Sequence, residues 1–193
     1  MDNPNDPSQE AEPVNEPAAE QPVNEPAAEQ PEISINEDKL NQYLDKLRVE
    51  QNLPLGLIGG LIAALVGAAL WAVITVTTEY QIGYMAIAVG FIVGFTMKFT
   101  GKGIDKIFGI VGAALSLVGC LLGNCLSVVG FISIAEGIEY FETLAMIDYS
   151  LMPEIMMSTF SPIDLLFYGI AVYEGYKFSF RTITEQEIIE HAT

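Results

Sequence analysis

The chain has 193 residues, 51% of them hydrophobic, and a formal net charge of −17. Such an acidic surplus argues against nucleic-acid binding, because contacts to phosphates need clustered cations. Residues 1–50 carry thirteen acids and three bases, whereas residues 51–193 hold nearly all the large apolar side chains. One membrane domain with a soluble N-terminal tail is therefore the simplest organisation.

The tail, residues 1–33, contains a nine-residue repeat, EPVNEPAAE at 12–20 and QPVNEPAAE at 21–29. Glu, Pro, Ala, Asn and Gln cannot bury enough apolar surface to offset chain entropy, so the composition predicts disorder. No apolar stretch follows the acidic start, so no signal peptide is expected. The segment is either a solvated tether or a docking arm for a basic protein partner.

Residues 34–52 are predicted to form an amphipathic juxtamembrane helix. Ser34 and Glu37 fit a capping box, and apolar residues recur at helical spacing at Leu40, Tyr43, Leu44 and Leu47. The helix would rest on a membrane surface or continue into the next segment.

Four apolar segments follow, at 54–78, 81–98, 107–133 and 162–180. About 20 apolar residues cross a bilayer as a helix, so the sequence predicts an all-α polytopic protein with four transmembrane helices over 53–181. Gly123 and Asn124 leave open whether the third helix is continuous or broken. The fourth begins with the start signals Ser161, Pro162 and Asp164.

The loop before the fourth helix, residues 136–160, carries five acids and no base. Its apolar residues predict one or two short helices on the outer interface, separated by Pro153.

The cations alternate across these four segments. Three precede the first, none follows it, Lys98, Lys102 and Lys106 follow the second, none follows the third, and Lys177 and Arg181 end the fourth. Lys and Arg accumulate on the cytoplasmic side, so both termini, including the tail at 182–193, are predicted to be cytoplasmic. The three lysines would anchor a cytoplasmic loop.

Inside the spans, glycine pairs and isolated polar groups are the candidate functional residues. A GxxxG pair occurs in each of the first three helices and allows close helix contact, within one subunit or in a symmetric oligomer; the pairs are Gly56/Gly60, Gly90/Gly94 and Gly119/Gly123. Asn124 and Glu174 are the intramembrane polar candidates, and Lys177 is spaced to pair with Glu174.

Catalytic and metal-binding sets are not found in the sequence. His191 is the only histidine and lies in the tail, and Cys120 and Cys125 face different sides of a helix. A metal cluster or a nucleophile with its base is therefore not expected. No cofactor and no enzymatic activity are predicted.

The stretches EQNLPLGLIGG, GKGIDKIFGIVGAALSLVGCLLGN and DLLFYGIAVYEGYKFS resemble a family of small bacterial four-helix membrane proteins with a variable soluble N-terminal segment. The resemblance covers roughly residues 50–181. It implies the four-helix fold and a location in the bacterial inner membrane, and it implies no activity and no site residues.

Two functions remain open from the sequence. The first is a non-enzymatic membrane scaffold or accessory protein, indicated by short loops and a tail suited to capturing a partner. The second is a small homo-oligomeric channel or transporter for ions or small solutes, indicated by the glycine faces and Asn124.

Overall fold

The computed structural model describes residues 36–80 and 83–192. The acidic repeat and Ser34 lie outside the described residues. Within that part of the chain the fold is entirely helical, with eight helices and no strand, which confirms the predicted all-α class. The helices are α1 (Glu37–Glu50), α2 (Leu53–Thr78), α3 (Met85–Gly101), α4 (Lys106–Glu136), α5 (Tyr140–Met146), α6 (Met152–Thr159), α7 (Pro162–Phe178) and α8 (Glu185–Ala192).

Two of these helices are long and apolar enough to cross a membrane alone. They are α2, with 26 residues, and α4, with 31 residues. The count rises to three if α6 and α7, which are bent by 105°, form one broken span. The helix α3 is apolar but only 17 residues long. The number of membrane-crossing helices in the described residues is thus two or three by length and composition.

The helix boundaries follow local capping chemistry. Asn36, rather than Ser34, is the residue that caps α1, and its side chain accepts hydrogen bonds from the backbone of Asp38 at 3.0 Å and Lys39 at 3.2 Å. The predicted start of α7 is confirmed, since Asp164 accepts a hydrogen bond from the Ser161 amide at 2.8 Å.

The structure decides one alternative that the sequence left open, the continuity of the third apolar segment. It also differs from the sequence expectation at Pro153. The third apolar segment is one helix, because α4 continues unbroken through Gly123 and Asn124. The segment 136–160 contains two short helices, as expected, but residues 147–151 separate them. Pro153 instead lies in the first turn of α6, where its missing N–H and fixed φ are tolerated.

The four longest helices, namely α2, α3, α4 and α7, form a bundle. The helices α2 and α7 each pack against both members of the central α3–α4 pair, while α5 and α6 pack on α4 and α1 packs on α8. The buried face of α2 is built mainly from glycine and alanine. Its exposed face carries large aliphatic side chains, including Leu57, Ile58, Leu61, Ile62 and Leu65. An apolar exterior around a small-residue interior is typical of helices that contact lipid.

Candidate functional site

The six predicted packing glycines all lie at contacts between helices of the same chain. A Cβ atom on Gly90 would stand 2.6 Å from the Ala171 carbonyl oxygen, and one on Gly94 would stand 2.8 Å from the Phe178 Cβ. Gly56, Gly60, Gly119 and Gly123 are similarly close to Gly101, Leu115, Val89 and Trp71. These contacts are the close packing within one subunit that the sequence left as one of two alternatives. None of them requires a second copy.

A further close crossing, between α4 and α7, was not predicted from the sequence. There Gly112 faces Gly175 and Ser179, while Gly175 faces Ser116. Each serine donates its hydroxyl to the glycine carbonyl four residues earlier in its own helix, so the hydroxyls are satisfied without leaving the helix surface. The signal was present as two pairs of small residues spaced by four, which pack in the same way as GxxxG.

Asn124, the first intramembrane polar candidate, is buried and lies opposite Tyr168 of α7. Its amide nitrogen donates to the Tyr168 hydroxyl at 3.4 Å. Both side chains line a cavity of about 420 Å³, with Met152, Met156 and Met157 among its walls. Flexible methionines around two polar groups can adapt to an apolar molecule that carries one hydrogen-bonding group.

Two neighbouring polar groups on α2 have no hydrogen-bond partner among the described residues. They are the Trp71 indole nitrogen and the Thr75 hydroxyl, one helical turn apart and both buried. Trp71 packs edge-on against Tyr168 with ring centroids 6.3 Å apart. Aromatic packing, rather than hydrogen bonding, therefore joins α2 to α7 at this level of the bundle.

Glu174 and Lys177 do not form the ion pair that their spacing suggested. One carboxylate oxygen of Glu174 is buried without a hydrogen-bond partner in the described part of the chain. The Lys177 ammonium instead lies over the rings of Tyr173, at 5.6 Å, and Phe178, at 5.9 Å. An aromatic face competes well for an ammonium where water is scarce.

The ends of α1, α3 and α7 meet at one end of the bundle, which we call the cationic end and define as α1, residues 98–106 and residues 177–184. Arg48 pairs with Asp105 at 3.5 Å, and Arg181 pairs with Glu50 at 3.2 Å. The Lys98 ammonium donates to the Thr182 hydroxyl at 2.8 Å. These bonds cross 57, 131 and 84 positions of sequence, respectively.

Backbone and side-chain bonds reinforce this end. The Asn52 amide donates to the Gly101 carbonyl at 2.8 Å, and Gln51 donates to the Asp105 carboxylate. Asp105 stands immediately before α4 but makes no side-chain cap bond. Its carboxylate is used to hold α1 instead.

The C-terminal helix α8 completes the cationic end by packing on α1. Tyr43 stacks on His191 with ring centroids 4.4 Å apart, and Arg181 reaches Glu187 at 3.5 Å. The Thr184 amide donates to Glu187 at 2.9 Å and, as the main cause, lowers the pKa of that carboxyl below its usual range. Glu187 therefore stays ionised at neutral pH, and its carboxylate holds the start of α8.

The three predicted anchor lysines all lie at this end. Lys98 is in the last turn of α3, Lys102 caps that helix, and Lys106 begins α4. A cation at a helix start opposes the helix dipole, so Lys106 does not serve to stabilise α4.

Comparisons of the chain with protein-family models, curated proteins and solved structures give no match.

Proposed function

We propose that the chain is a four-span membrane protein with both termini in the cytoplasm, and that it acts as a non-enzymatic scaffold or accessory subunit. The distribution of cations is the observation that carries the orientation. All eight Lys and Arg residues belong to the cationic end: Lys39, Lys46, Arg48, Lys98, Lys102, Lys106, Lys177 and Arg181. The outer segment 136–160 has five acids and no base. This asymmetry favours a cytoplasmic cationic end.

The two shorter bundle helices, α3 and α7, are the second and fourth spans of this proposal in chain order. Seventeen residues rise about 26 Å as a helix, against roughly 30 Å for a hydrocarbon core. That length is at the lower limit of known spans. Each helix packs against two long neighbours, and lysines at their cytoplasmic ends can extend to the headgroups. The family resemblance supports four spans and the bacterial inner membrane.

The way α1 is fastened supports the scaffold role. Three residues between the middle and the end of α1 make contacts with other elements: Arg48 and Glu50 form ion pairs, and Tyr43 stacks on His191. The Asn52 bond holds the chain just beyond the end of this helix. In the sequence, the acidic segment 1–33 lies three positions before this helix. A fixed anchor and an acidic arm suit the capture of a basic protein partner.

The channel or transporter alternative was motivated by two features of the sequence, the glycine faces and Asn124. The glycine faces that motivated an oligomer contact other helices of the same chain. Asn124, its other support, contacts Tyr168 within one subunit.

The proposed role predicts a stoichiometric partner that depends on the acidic segment. Gentle detergent extraction of the natively expressed protein, followed by native mass measurement, should give a complex with one foreign protein in a fixed ratio. Deleting residues 1–33 should release the foreign protein, because the acidic side chains of this segment provide the electrostatic attraction to it. The complex should also weaken at high salt.

The matched control exchanges the acids of residues 1–33 for the corresponding amides and leaves the length of the segment unchanged. Loss of the partner in this variant identifies charge as the cause. A defined homo-oligomer without a foreign protein, together with solute flux in liposomes, would overturn the scaffold role in favour of a channel or transporter.

A further inference from the structure

A second cavity, of about 460 Å³, lies at the cationic end between the last turn of α3 and the residues that follow α7. Its walls are Glu50, Lys98, Phe99, Lys102, Arg181 and Thr182. Three cations and one acid thus surround a concave surface in a chain whose overall charge is −17.

The charges around this cavity do not balance locally. Arg181 is already paired with Glu50 at 3.2 Å and with Glu187 at 3.5 Å. Among the described residues, neither Lys98 nor Lys102 forms an ion pair, and Lys98 donates to the neutral Thr182 hydroxyl. Two ammonium groups on the cavity wall therefore have no carboxylate of their own. Such an arrangement attracts an anion with several oxygen acceptors.

Lys102 occupies a backbone position at which a side chain is disfavoured. Its φ of 48° is left-handed, the conformation for which glycine is the usual residue at the end of a helix. Glycine occupies both neighbouring positions, 101 and 103, but not position 102 itself. A lysine here sacrifices backbone stability and places a cation on the cavity wall.

An apolar surface leads directly to this cavity. Four phenylalanines stack along the contact between α3 and α7, with centroids 4.8 Å apart for Phe91–Phe178, 5.1 Å for Phe95–Phe178 and 6.5 Å for Phe95–Phe99. Phe99, the last of them, is 70% exposed and is itself part of the cavity wall. We call these four side chains the phenylalanine ladder.

We propose that this cavity binds the phosphate headgroup of an anionic phospholipid, while an acyl chain lies along the phenylalanine ladder. A cationic pocket next to an apolar surface matches the two parts of such a lipid, and basic pockets at the cytoplasmic ends of membrane helices hold anionic headgroups. Free phosphate would use the lysines but not the ladder. The inference rests on the membrane topology proposed above and adds a specific lipid site to it.

Native mass spectrometry of the detergent-solubilised full chain tests the site with added phosphatidylglycerol, phosphatidylcholine or inorganic phosphate. We expect preferential binding of one phosphatidylglycerol molecule. The double variant Lys98→Gln/Lys102→Gln should weaken that binding on the order of tenfold. The variant Lys39→Gln/Lys46→Gln removes the same amount of charge from α1, outside the cavity. It should leave phosphatidylglycerol binding unchanged. Phe99→Ala should weaken phosphatidylglycerol binding and leave phosphate binding as it was.

Equal binding of both lipids, or equal loss in both lysine pairs, would overturn the site and indicate a diffuse charge effect. Phosphate that displaces the lipid completely would mean a free-anion site. Thermal unfolding of each variant shows that it is folded. The side of the membrane on which the cationic end lies is scored separately, by labelling an introduced cysteine with a membrane-impermeant maleimide, so failure of the topology is distinguishable from failure of the lipid site.

Discussion

Replacing Gly90 by alanine should destabilise the bundle by about 1–3 kcal/mol, the usual cost of forcing extra volume into a packed core. The added Cβ would lie 2.6 Å from the Ala171 carbonyl oxygen and 2.9 Å from the Ala171 Cα. Both atoms belong to the backbone, so no side-chain rotation relieves the overlap, and α3 must move away from α7. Unfolding of the purified protein in detergent, followed by circular dichroism, measures the loss.

Gly169→Ala is the matched control for this substitution. Gly169 is also in a bundle helix, α7, and a Cβ there would meet no atom within 4 Å. We expect no loss, or a gain of up to about 1 kcal/mol from the better helix propensity of alanine. If both variants lost the same stability, close α3–α7 contact would not be the reason for glycine at position 90.

Replacing Trp71 by alanine should have the largest effect of any single truncation, about 3–5 kcal/mol. Trp71 is 1% exposed, packs against Gly123 and meets the Tyr168 ring. Its removal would leave a cavity where α2, α4 and α7 converge. The same unfolding measurement in detergent reports the change in free energy.

Two further variants separate volume from polarity. Leu70→Ala truncates a neighbouring side chain that is 48% exposed and should change the stability by no more than about 0.5 kcal/mol. Trp71→Phe keeps most of the ring and removes an N–H that has no partner among the described residues. It should cost clearly less than alanine. A phenylalanine variant as unstable as the alanine variant would show that the N–H is hydrogen-bonded after all.

Much of the fold could be predicted from the sequence because each long helix coincides with an apolar segment. The helices α2, α3, α4 and α7 each fall close to a predicted span, and the Ser161–Asp164 cap is a local signal that needs no tertiary information. The continuity of α4 was not predictable, because glycine and asparagine have low helix propensity, whereas packing by neighbouring helices can keep such a helix continuous.

The candidate sites were predicted less completely, because they depend on which helix faces meet. Asn124 could be singled out as a buried polar residue, but its partner Tyr168 lies 44 positions away. The three lysines were singled out as candidate anchors because they lie between two apolar segments. Two of these lysines, Lys98 and Lys102, share a cavity with Arg181. This could not be predicted, because it depends on the approach of α3 to α7. The prediction of a Glu174–Lys177 ion pair was wrong, because local spacing takes no account of the aromatic rings that compete for the ammonium.

The proposed four-span topology is tested most directly by measuring on which side of the membrane each loop lies. Single cysteines are introduced as Glu142→Cys and Glu185→Cys, two exposed positions, in a chain with Cys120→Ala and Cys125→Ala, and intact bacterial cells are treated with a membrane-impermeant maleimide. Four spans with cytoplasmic ends predict labelling at position 142 in intact cells and at position 185 only after the membrane is permeabilised. Labelling at position 185 in intact cells, or at both positions alike, would contradict the account.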